Sequence, residues 1–304
     1  MAPLLDEVRE MARGWRWGRR PLVPRSAEPF APPPEPAEFP TAWARTPAGR
    51  AARAAIQRLI LRPLVWSETD PRVRGLDHLE GLRGPVVFVA NHSSHLDAPL
   101  ILCSLPERWR RRTAVGAAAD YFFDVWWRAA GTALVFNAFP VERSGGRRLS
   151  DTPWELLREG WSIVVFPEGT RSRDGWVGRF RPGAARLCAE AGVPAVPVAI
   201  RGSFAAMPRG RGWPQPGRYP VSVRYGPPLF PEAGEGAKAF MGRLSAAVAG
   251  LWDEDRDGWW AARVRAARGQ TPPPAGPSGP RWVRVWEATR PLPRRRPRPK
   301  VWSQ

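Results

Sequence analysis

The chain has 304 residues, 43% of them apolar, which is enough to bury a sizeable core, and its two cysteines, Cys103 and Cys188, have no C-x-x-C partner. Two cysteines without such a partner do not indicate a disulfide framework or a thiolate metal site. No apolar run is long enough to predict a membrane-spanning helix or a secretory signal. The formal net charge of +19 comes almost entirely from arginine and favours an anionic partner, which can be nucleic acid, phospholipid headgroups or a phosphorylated substrate.

Proline content predicts how the chain is divided. The 37 prolines crowd residues 21–40 and 272–299, where an extended or disordered chain is expected. The last 24 residues hold eight cations and one acidic residue, so they form either a solvated tail or a binding element. The predicted parts are a mostly disordered Pro-rich segment (1–44), a folded domain (45–268) and a disordered basic Pro/Arg/Trp-rich tail (269–304).

The first predicted element is a basic amphipathic helix over residues 46–66, interrupted near Pro63. Two interpretations remain open. The helix can pack against the core, or it can lie in a lipid interface with its arginines toward phosphates and Trp66 at headgroup depth. The apolar side consists of Ile56, Leu59, Ile60, Pro63 and Leu64, and the basic side of Arg50, Arg53 and Arg58.

From residue 85 onward, short apolar runs alternate with helical patterns. Several runs are apolar at every position, which indicates strands buried on both faces. The alternation predicts an α/β domain whose mainly parallel central sheet is flanked by helices and preceded by the amphipathic N-terminal helix. Strands are predicted at 86–90, 113–117, 133–139, 162–166, 195–200 and 221–226, and helices at 96–104, 119–130, 150–159, 183–191 and 235–267.

The segment NHSSHLD directly follows the first buried strand and contains two of the three histidines. Five residues on a helix span a rotation of about 140°, so His92 and Asp97 can meet only if one of them lies outside the helix. Ser94 and Asp97 have the spacing of a capping box, with Ser94 as the N-cap. His92 is therefore expected in the preceding turn, where its ring can fold back onto the Asp97 carboxylate.

Taken alone, this segment allows several interpretations. Asp97 can simply cap a helix, it can form an acid–base pair with His92, or it can join His92 and His95 in a metal site. A metal site would lack ligands, because no cysteine or carboxylate cluster completes the set, and none is expected. Covalent catalysis by Ser93 or Ser94 is disfavoured, because neither lies in a G-x-S-x-G turn.

Three further segments bring polar groups or prolines to predicted strands. In FPVERSGG, the guanidinium of Arg143 can fork onto a phosphate. In VVFPEGTRS, a buried strand ends in a tight loop that offers Glu168, Gly169, Thr170 and Arg171. VPAVPVAI carries two prolines, which suit a pocket wall better than an interior strand position. The polar groups follow strand C-termini, the edge at which open α/β sheets bind ligands.

In this order the segments resemble the glycerophospholipid acyltransferase family, typified by 1-acylglycerol-3-phosphate acyltransferase. NHSSHLD is similar to the H-x4-D block of the family, FPVERSG to its second block, FPEGTRS to its third and VPAVPVAI to its fourth, over roughly residues 85–226. The resemblance implies an α/β domain on the membrane surface. It also implies a preceding amphipathic helical hairpin, part of which residues 46–66 resemble.

The resemblance also implies a role for each matched residue. His92 would be the general base, and Asp97 would orient and polarise it. One departure concerns Ala117, Ala118 and Ala119, which stand where many members have a lysine, so that one phosphate contact is absent or replaced. The residues implied to hold the phosphate and glycerol of the acceptor are Arg143, Glu168, Gly169, Thr170 and Arg171.

The implied reaction is direct O-acyl transfer from acyl-CoA or acyl-carrier protein to the free hydroxyl of a lysophospholipid, foremost 1-acylglycerol-3-phosphate, to give phosphatidate. An alcohol is a poor nucleophile at neutral pH, and a histidine held by a carboxylate can remove its proton. No cofactor beyond the acyl donor is expected. The expected partners are the lysophospholipid, the donor and an anionic membrane surface, with the protein peripheral on the cytoplasmic face of the cell membrane.

Two alternatives stay open at this stage. The acceptor can be another lysolipid or a glycolipid, or the chain can be a non-catalytic lipid- or nucleic-acid-binding module. The sequence contains no recognised nucleic-acid motif, so no specific nucleic acid is expected. Acyl-chain length and oligomeric state are not predicted.

Overall fold

The computed structural model describes residues 40–118, 125–141 and 152–293. Almost all of the predicted N-terminal segment therefore lies outside the described residues. Two short 3-10 helices occupy Ala42–Arg45 and Leu76–Leu79. The α-helices are α1 (Pro47–Ile56), α2 (Arg62–Glu68), α3 (Asp97–Ser104), α4 (Glu107–Arg110), α5 (Trp126–Phe136), α6 (Thr152–Arg158), α7 (Gly183–Ala191), α8 (Ser203–Ala206), α9 (Ala237–Asp257), α10 (Trp259–Ala267) and α11 (Arg281–Ala288). The strands are β1 (Thr69–Arg74), β2 (Val87–Ala90), β3 (Thr113–Ala118), β4 (Ala138–Val141), β5 (Ser162–Val165), β6 (Ala195–Arg201) and β7 (Tyr219–Tyr225).

The predicted amphipathic helix forms without a break. Thr46 caps α1 by accepting a hydrogen bond from the backbone N–H of Gly49. A π-helical turn over Gln57–Leu61 joins α1 to α2, and the N–H of Arg62 bonds the carbonyl of Gln57. This wider turn accommodates Pro63, whose ring would clash with a carbonyl in a regular α-helix. The predicted interruption is therefore a π turn and not an end of the helix.

The described strands form one seven-stranded sheet in the order β1-β7-β6-β2-β5-β3-β4. Every neighbouring pair is parallel except β6 with β7, which confirms the predicted mainly parallel α/β fold. Since β2, β4, β5 and β6 run in the same direction, their carboxyl ends meet at one edge of the sheet. That edge is the one at which the candidate site lies.

Strand β2 shows why the central runs are apolar at every position. Phe88 and Ala90 point into one hydrophobic cluster, where they pack with residues of α3, β6 and β7. Val87 and Val89 point to the opposite face and pack with residues of α7 and α9. All four are fully buried. Helices cover both faces of the sheet, so an alternating polar pattern would place polar groups in the core.

The predicted strand over 133–139 is wrong in its first half. Helix α5 continues to Phe136, and only Ala138–Val141 forms a strand. The change occurs at buried Asn137, which adopts a left-handed backbone conformation with φ of 50°. Asparagine tolerates this conformation and often ends helices. The apolar run alone could not reveal the boundary, because buried helices and buried strands have similar short patterns.

Strand β6 is an interior strand despite its prolines. It lies between β2 and β7, and Pro197 is aligned with Val89 of β2. The carbonyl of Pro197 accepts a hydrogen bond from Gly226, just beyond the β6–β7 ladder, so its nitrogen also faces that side. The missing N–H therefore removes no bond to β2. The sequence-based assignment of this segment to a pocket wall is not what the structure shows.

The structure also departs from the predicted disordered tail. Residues 269–293 are described and include α11, which lies beyond the predicted domain end at 268. Arg284 of α11 forms an ion pair with Asp174, and its carbonyl accepts a hydrogen bond from the indole N–H of Trp176. Proline-rich composition indicates disorder only when a segment has no partner surface, and this one has a partner. Residues 294–304 lie outside the described residues.

Candidate active site

The turn after β2 is fixed by Asn91. Its side-chain amide donates to the carbonyl of Ile200 at 2.9 Å, and its Oδ1 accepts from the N–H of Ile200 at 2.8 Å. These two bonds tie the end of β2 to the neighbouring strand β6 and take the place of ladder bonds. The chain can therefore leave the sheet immediately after Asn91, which places His92 at the sheet edge. Sequence analysis did not single out Asn91.

The structure brings His92 and Asp97 together. Nδ1 of His92 lies 2.9 Å from Oδ2 of Asp97, whose side chain is fully buried. The same Oδ2 accepts hydrogen bonds from the backbone N–H groups of Ser93 at 2.7 Å and Ser94 at 2.8 Å. Three donors therefore converge on one carboxylate oxygen, which fixes both the carboxylate and the imidazole.

The capping box predicted at Ser94 forms only in part. Helix α3 begins at Asp97 with Leu96 as its N-cap, although the Asp97 carboxylate does reach back to the N–H of Ser94. The hydroxyl of Ser94 accepts from the N–H of Leu96 and donates to the carbonyl of Met207. The hydroxyl of Ser93 instead pairs with the hydroxyl of Ser203 at 2.9 Å. Both serines are buried in these contacts, which disfavours either as a nucleophile.

The imidazole of His92 is positioned for proton transfer. Its ring stacks on Phe166, with centroids 4.1 Å apart and an interplanar angle of 20°. The side chain is 20% exposed and lines a cavity. Because the Asp97 carboxylate can only accept, we assign the proton of neutral His92 to Nδ1. Nε2 is then the unprotonated nitrogen, as a general base requires.

Glu168 has a different place from the one the resemblance implies. Its Oε1 accepts a hydrogen bond of 2.7 Å from the backbone N–H of His92, and its Oε2 accepts one of 2.8 Å from the N–H of Gly178. Burial raises the pKa of Glu168 to about 7, and these two hydrogen bonds oppose the shift. Glu168 does not line the cavity. Its carboxylate holds backbone groups, in place of the predicted contact with phosphate or glycerol.

The loop that follows β5 also contacts the carbonyl of His92. The N–H of Ser172 donates to this carbonyl at 2.8 Å. The N–H and the carbonyl of His92 are therefore both bonded to the segment that contains EGTRS. This segment fixes the backbone of His92, while Asp97 fixes its side chain.

A cavity of about 900 Å³ opens beside His92. Gly169, Thr170 and Arg171 contribute to its lining, and so do Ala117 and Ala118, which stand where many members of the resembled family have a lysine. Ala119 and Arg143 lie outside the described residues. The lining includes the apolar residues Ala98, Val115, Phe136, Ala138, Phe139 and Val141 and the cationic residues Arg128, Arg171, Arg181, Arg209 and Arg211.

Arg181 is a cavity residue that sequence analysis missed. Its guanidinium carbon lies 3.3 Å from the position that a Cβ on Gly169 would take. Gly169 has a φ of 73°, so glycine is favoured there by both backbone conformation and space. Arg181 lies nine residues after Ser172, the last residue of the EGTRS motif, and no local pattern distinguishes it from neighbouring arginines. Only the folding of the loop back onto Pro167, whose carbonyl accepts from the N–H of Arg181, reveals its position.

Within the described residues, no three histidine, cysteine or carboxylate side chains are grouped as a metal ion would require. His95 lines the cavity together with His92. The side-chain chemistry that the cavity offers is therefore a base, hydrogen-bond donors and positive charge. These groups can remove a proton and neutralise an anionic substrate.

Comparison with known proteins agrees with this chemistry. Residues 70–201 match the family model described as Acyltransferase. The chain is 34% identical over 141 residues to 1-acyl-sn-glycerol-3-phosphate acyltransferase BAT2, chloroplastic, of Brassica napus, an alignment that covers 45% of this chain and 39% of that protein. It is also 34% identical over 126 residues to the probable 1-acyl-sn-glycerol-3-phosphate acyltransferase of Mycoplasma genitalium, with coverage of 40% and 46%. The chain thus spans less than half the length of these two relatives.

The fold is similar to that of a solved structure. The crystal structure of the 1-acyl-sn-glycerophosphate (LPA) acyltransferase PlsC from Thermotoga maritima matches with a TM-score of 0.51 and 26% sequence identity. The match covers 67% of this chain and 82% of that chain. It therefore extends well beyond the residues that the family model covers.

Proposed function

We propose that this chain, whose residues 70–201 match the Acyltransferase family model, transfers a fatty acyl group to the free hydroxyl of 1-acyl-sn-glycerol-3-phosphate. The observation that carries the proposal is the hydrogen bond between His92 and the buried Asp97 at the wall of a cavity that is lined by both apolar and cationic residues. A lysophosphatidate and an acyl donor need both kinds of surface.

In the proposed reaction, Nε2 of His92 accepts the proton of the acceptor hydroxyl as its oxygen attacks the thioester carbonyl of the donor. The Asp97 carboxylate stabilises the imidazolium that forms. The tetrahedral intermediate then collapses with cleavage of the carbon–sulfur bond. The leaving thiolate takes the proton from His92, so that base and acid are the same residue. No acyl-enzyme is formed.

The cationic residues of the cavity would bind the acceptor phosphate. Arg171 directly precedes residues 172–178 and Arg181 follows them, and both arginines line the cavity. A guanidinium can donate two parallel hydrogen bonds to a phosphate, which neutralises and orients it. Arg181 would supply the contact for which other family members use a lysine near Ala117. The donor acyl chain would pack against the apolar residues.

We further propose that the protein is peripheral on an anionic membrane surface, at the cytoplasmic face of the cell membrane. In the run from α1 to α2, two polar side chains are buried and two large apolar side chains are exposed. Arg53 and Gln57 are buried, whereas Leu59 and Ile60 are 71% and 61% exposed. Arg53 donates to the carbonyl of Ala44, and Gln57 to that of Val135. Arg53 and Gln57 therefore pack against the protein, whereas Leu59 and Ile60 face outward.

The outward apolar face suits a lipid interface better than water. Leu64 adds to it, and α5, which packs against α1, carries the exposed Trp126 and Trp127. Tryptophan is favoured at headgroup depth. Among the described residues, no helix has both the length and the apolar character needed to cross a bilayer. We define Leu59, Ile60, Leu64, Trp126 and Trp127 as the exposed apolar patch.

In the decisive experiment, the purified chain is given a panel of lysophospholipids, first with radiolabelled acyl-CoA and separately with carrier protein that bears a radiolabelled acyl group. Labelled phosphatidate from lysophosphatidate, formed faster than the product of any other acceptor, is the expected result. Faster acylation of another lysolipid would change the assigned acceptor. Failure to acylate any acceptor with either donor, in the presence of lipid vesicles, would reject acyl transfer.

A further inference from the structure

The C-terminal segment of the described chain lies across the loop that follows the EGTRS motif. The N–H of Val177 donates to the carbonyl of Pro274 at 3.1 Å, and the indole N–H of Trp176 donates to the carbonyl of Arg284 at 2.9 Å. We define residues 274–293 as the C-terminal strap and residues 172–178 as the support loop. The contacts between them join positions about a hundred residues apart.

Arg284 is the central residue of this contact. Its Nε donates to Oδ2 of Asp174 at 2.6 Å, and its two Nη groups donate to the carbonyls of Pro277 and Ala275 within the strap. Burial tends to raise the pKa of Asp174, but the hydrogen bonds from Arg284, Trp176 and Ser172 outweigh it and hold the pKa below its usual range. One guanidinium thus bonds both the strap and the support loop, and Asp174 is held in its charged form.

Close packing accompanies these polar contacts. A Cβ on Gly175 would lie 2.5 Å from the Cβ of Ala288, and a Cβ on Gly276 would lie 2.3 Å from the ring of Trp176. Both glycines have positive φ angles, of 85° and 81°. The two segments therefore approach each other as closely as backbone and side chain permit, which is a packed interface and not an incidental contact.

The support loop in turn forms hydrogen bonds with His92, the proposed base, and with Glu168, whose carboxylate holds the backbone of His92. Ser172 donates its N–H to the carbonyl of His92, and Gly178 donates its N–H to Glu168, which accepts from the N–H of His92. Within the loop, the hydroxyl of Ser172 donates to Oδ1 of Asp174 at 3.0 Å. Asp174 therefore lies between Arg284 on one side and the residue that holds His92 on the other.

Building on the proposed acyl transfer, we infer that the C-terminal strap positions the base, with Arg284 and Asp174 as positioning residues that act through the support loop on His92. Neither residue lines the cavity, so neither contacts substrate. Their effect is on the placement of the imidazole. A misplacement of about 1 Å remote from the chemistry can lower a rate by about a hundredfold.

The test uses three variants of the full chain. Arg284→Ala removes the ion pair, and Asp174→Asn places an amide N–H against the Nε–H of Arg284 while keeping the Oδ1 acceptor. Arg290→Ala is the matched control, because Arg290 directly follows the same helix, is exposed, and its side chain contacts Glu287 and Trp286 of that helix. We expect the first two to lower kcat at least about tenfold with KM within twofold, and the control to stay within twofold of the unmodified chain.

A second readout needs no substrate. The chain has three histidines, so ¹⁵N-histidine NMR can follow the His92 imidazole separately from His78, which bonds the carbonyl of Tyr225. Arg284→Ala and Asp174→Asn should shift or broaden the His92 signals and leave those of His78 unchanged. If Arg284→Ala does not fold, Asp174→Asn alone decides.

Unchanged His92 signals in the folded variants, or an unchanged kcat, would overturn the inference. Failure of the unmodified chain to acylate any acceptor would instead reject the proposed function. In that case the His92 signals still test the positioning role, so the two failures are distinguishable.

Discussion

The backbone N–H of His92 donates a hydrogen bond of 2.7 Å to Oε1 of Glu168, although the two residues are 76 positions apart. The sheet brings them together. Val89 of β2 is aligned with Val165 of β5, and His92 and Glu168 each follow their aligned valine by three residues. The carboxylate of the EGTRS segment therefore supports the loop that presents the proposed base.

This arrangement makes the stability of the protein depend on pH in a specific direction. Burial raises the folded-state pKa of Glu168 to about 7, against a usual value of 4.5. The folded protein therefore binds a proton more tightly than the unfolded chain. The associated stability is fully present below about pH 4.5 and is lost as the pH rises through 7. A shift of this size corresponds to about 3 kcal/mol.

Glu168→Gln should remove that dependence. We expect the free energy of unfolding of the unmodified chain to fall by about 3 kcal/mol relative to the variant between pH 4.5 and pH 8. Urea unfolding of both proteins at several pH values in this window measures the difference. Because all other titrating groups are shared, they cancel in the comparison. Two curves that run parallel across the window would contradict the raised pKa.

The proposed base is tested by His92→Ala and Asp97→Asn. Removal of a general base costs about 10² to 10⁴ in rate, and we expect losses of this order for both variants. Asp97→Asn is preferable to alanine, because Oδ1 of Asp97 has no hydrogen-bond partner among the residues that the structure describes and can be replaced by the amide nitrogen. The amide oxygen can still accept from Ser93 and Ser94. Initial rates with lysophosphatidate measure the effect, and thermal unfolding checks that the fold is kept.

His92 is the residue whose loss the mechanism cannot tolerate. Asp97→Asn with full activity would show that the charge is not needed, and His92→Ala with full activity would reject the base altogether. Ser93→Ala serves as a control, since the hydroxyl of Ser93 pairs with that of Ser203 away from the cavity. It should retain activity.

The meeting of His92 and Asp97 could be predicted from sequence because it is local. A strand end, a capping signal and a five-residue separation lie within one short segment. The bond between His92 and Glu168 could not be predicted, because it depends on which strand lies beside β2 and in which register. Arg181 was missed for a similar reason, since its place depends on a loop that folds back.

Two of the departures from the predicted fold have physical causes of the same kind. The run that ends at Phe136 is apolar whether it is helix or strand, and the left-handed conformation of Asn137 sets the boundary. The strap was predicted to be disordered because its composition is rich in proline and arginine. Its order depends on contacts with Asp174 and Trp176. These residues are about a hundred positions away in the sequence, so the contacts could not be predicted from it.

The proposed phosphate contact predicts a selective effect of Arg181→Ala. A lost hydrogen bond between charged groups costs about 1.5 to 3 kcal/mol, so we expect KM for lysophosphatidate to rise by about ten- to a hundredfold. Arg179→Ala is the matched control, since Arg179 is exposed, two residues away and not in the cavity lining. Its KM should stay within twofold. A monoacylglycerol acceptor, which has no phosphate, should be used equally by both variants. An unchanged KM in Arg181→Ala would contradict the contact.

The exposed apolar patch predicts how the protein binds membranes. Replacing both Leu59 and Ile60 with glutamate should lower binding to phosphatidylglycerol vesicles at least about tenfold, because each apolar side chain contributes about 1.5 to 3 kcal/mol when buried. Co-sedimentation measures the bound fraction. Phe230→Glu, at an exposed aromatic residue outside the patch, is the control and should bind normally. Equal loss in both would indicate a general effect of charge and contradict a specific docking face.

The apolar lining of the cavity predicts how acyl-chain length is limited. Strands β3 and β4 line it in parallel, with Val115 aligned with Ala138 and Ala117 aligned with Pro140. Side chains alternate between the two faces along a strand, so Val115 and Ala117 share a face, and Ala117 packs with Ala138. The carboxyl ends of these strands face the edge where His92 lies, and two residues of strand span about 7 Å. Val115 and Ala138 are therefore the deeper pair.

A larger side chain at the deeper pair should shorten the acyl chain that fits. Ala138→Leu is expected to lower kcat/KM for long-chain donors and to leave short-chain donors unaffected, so that the preferred donor becomes shorter. Ala117→Leu, at the pair nearer the edge, should impair all chain lengths to a similar extent, because every chain passes that point. A series of donors from octanoyl- to stearoyl-CoA measures both profiles. If the two variants gave the same profile, the acyl chain could not extend along β3 and β4 in the proposed direction.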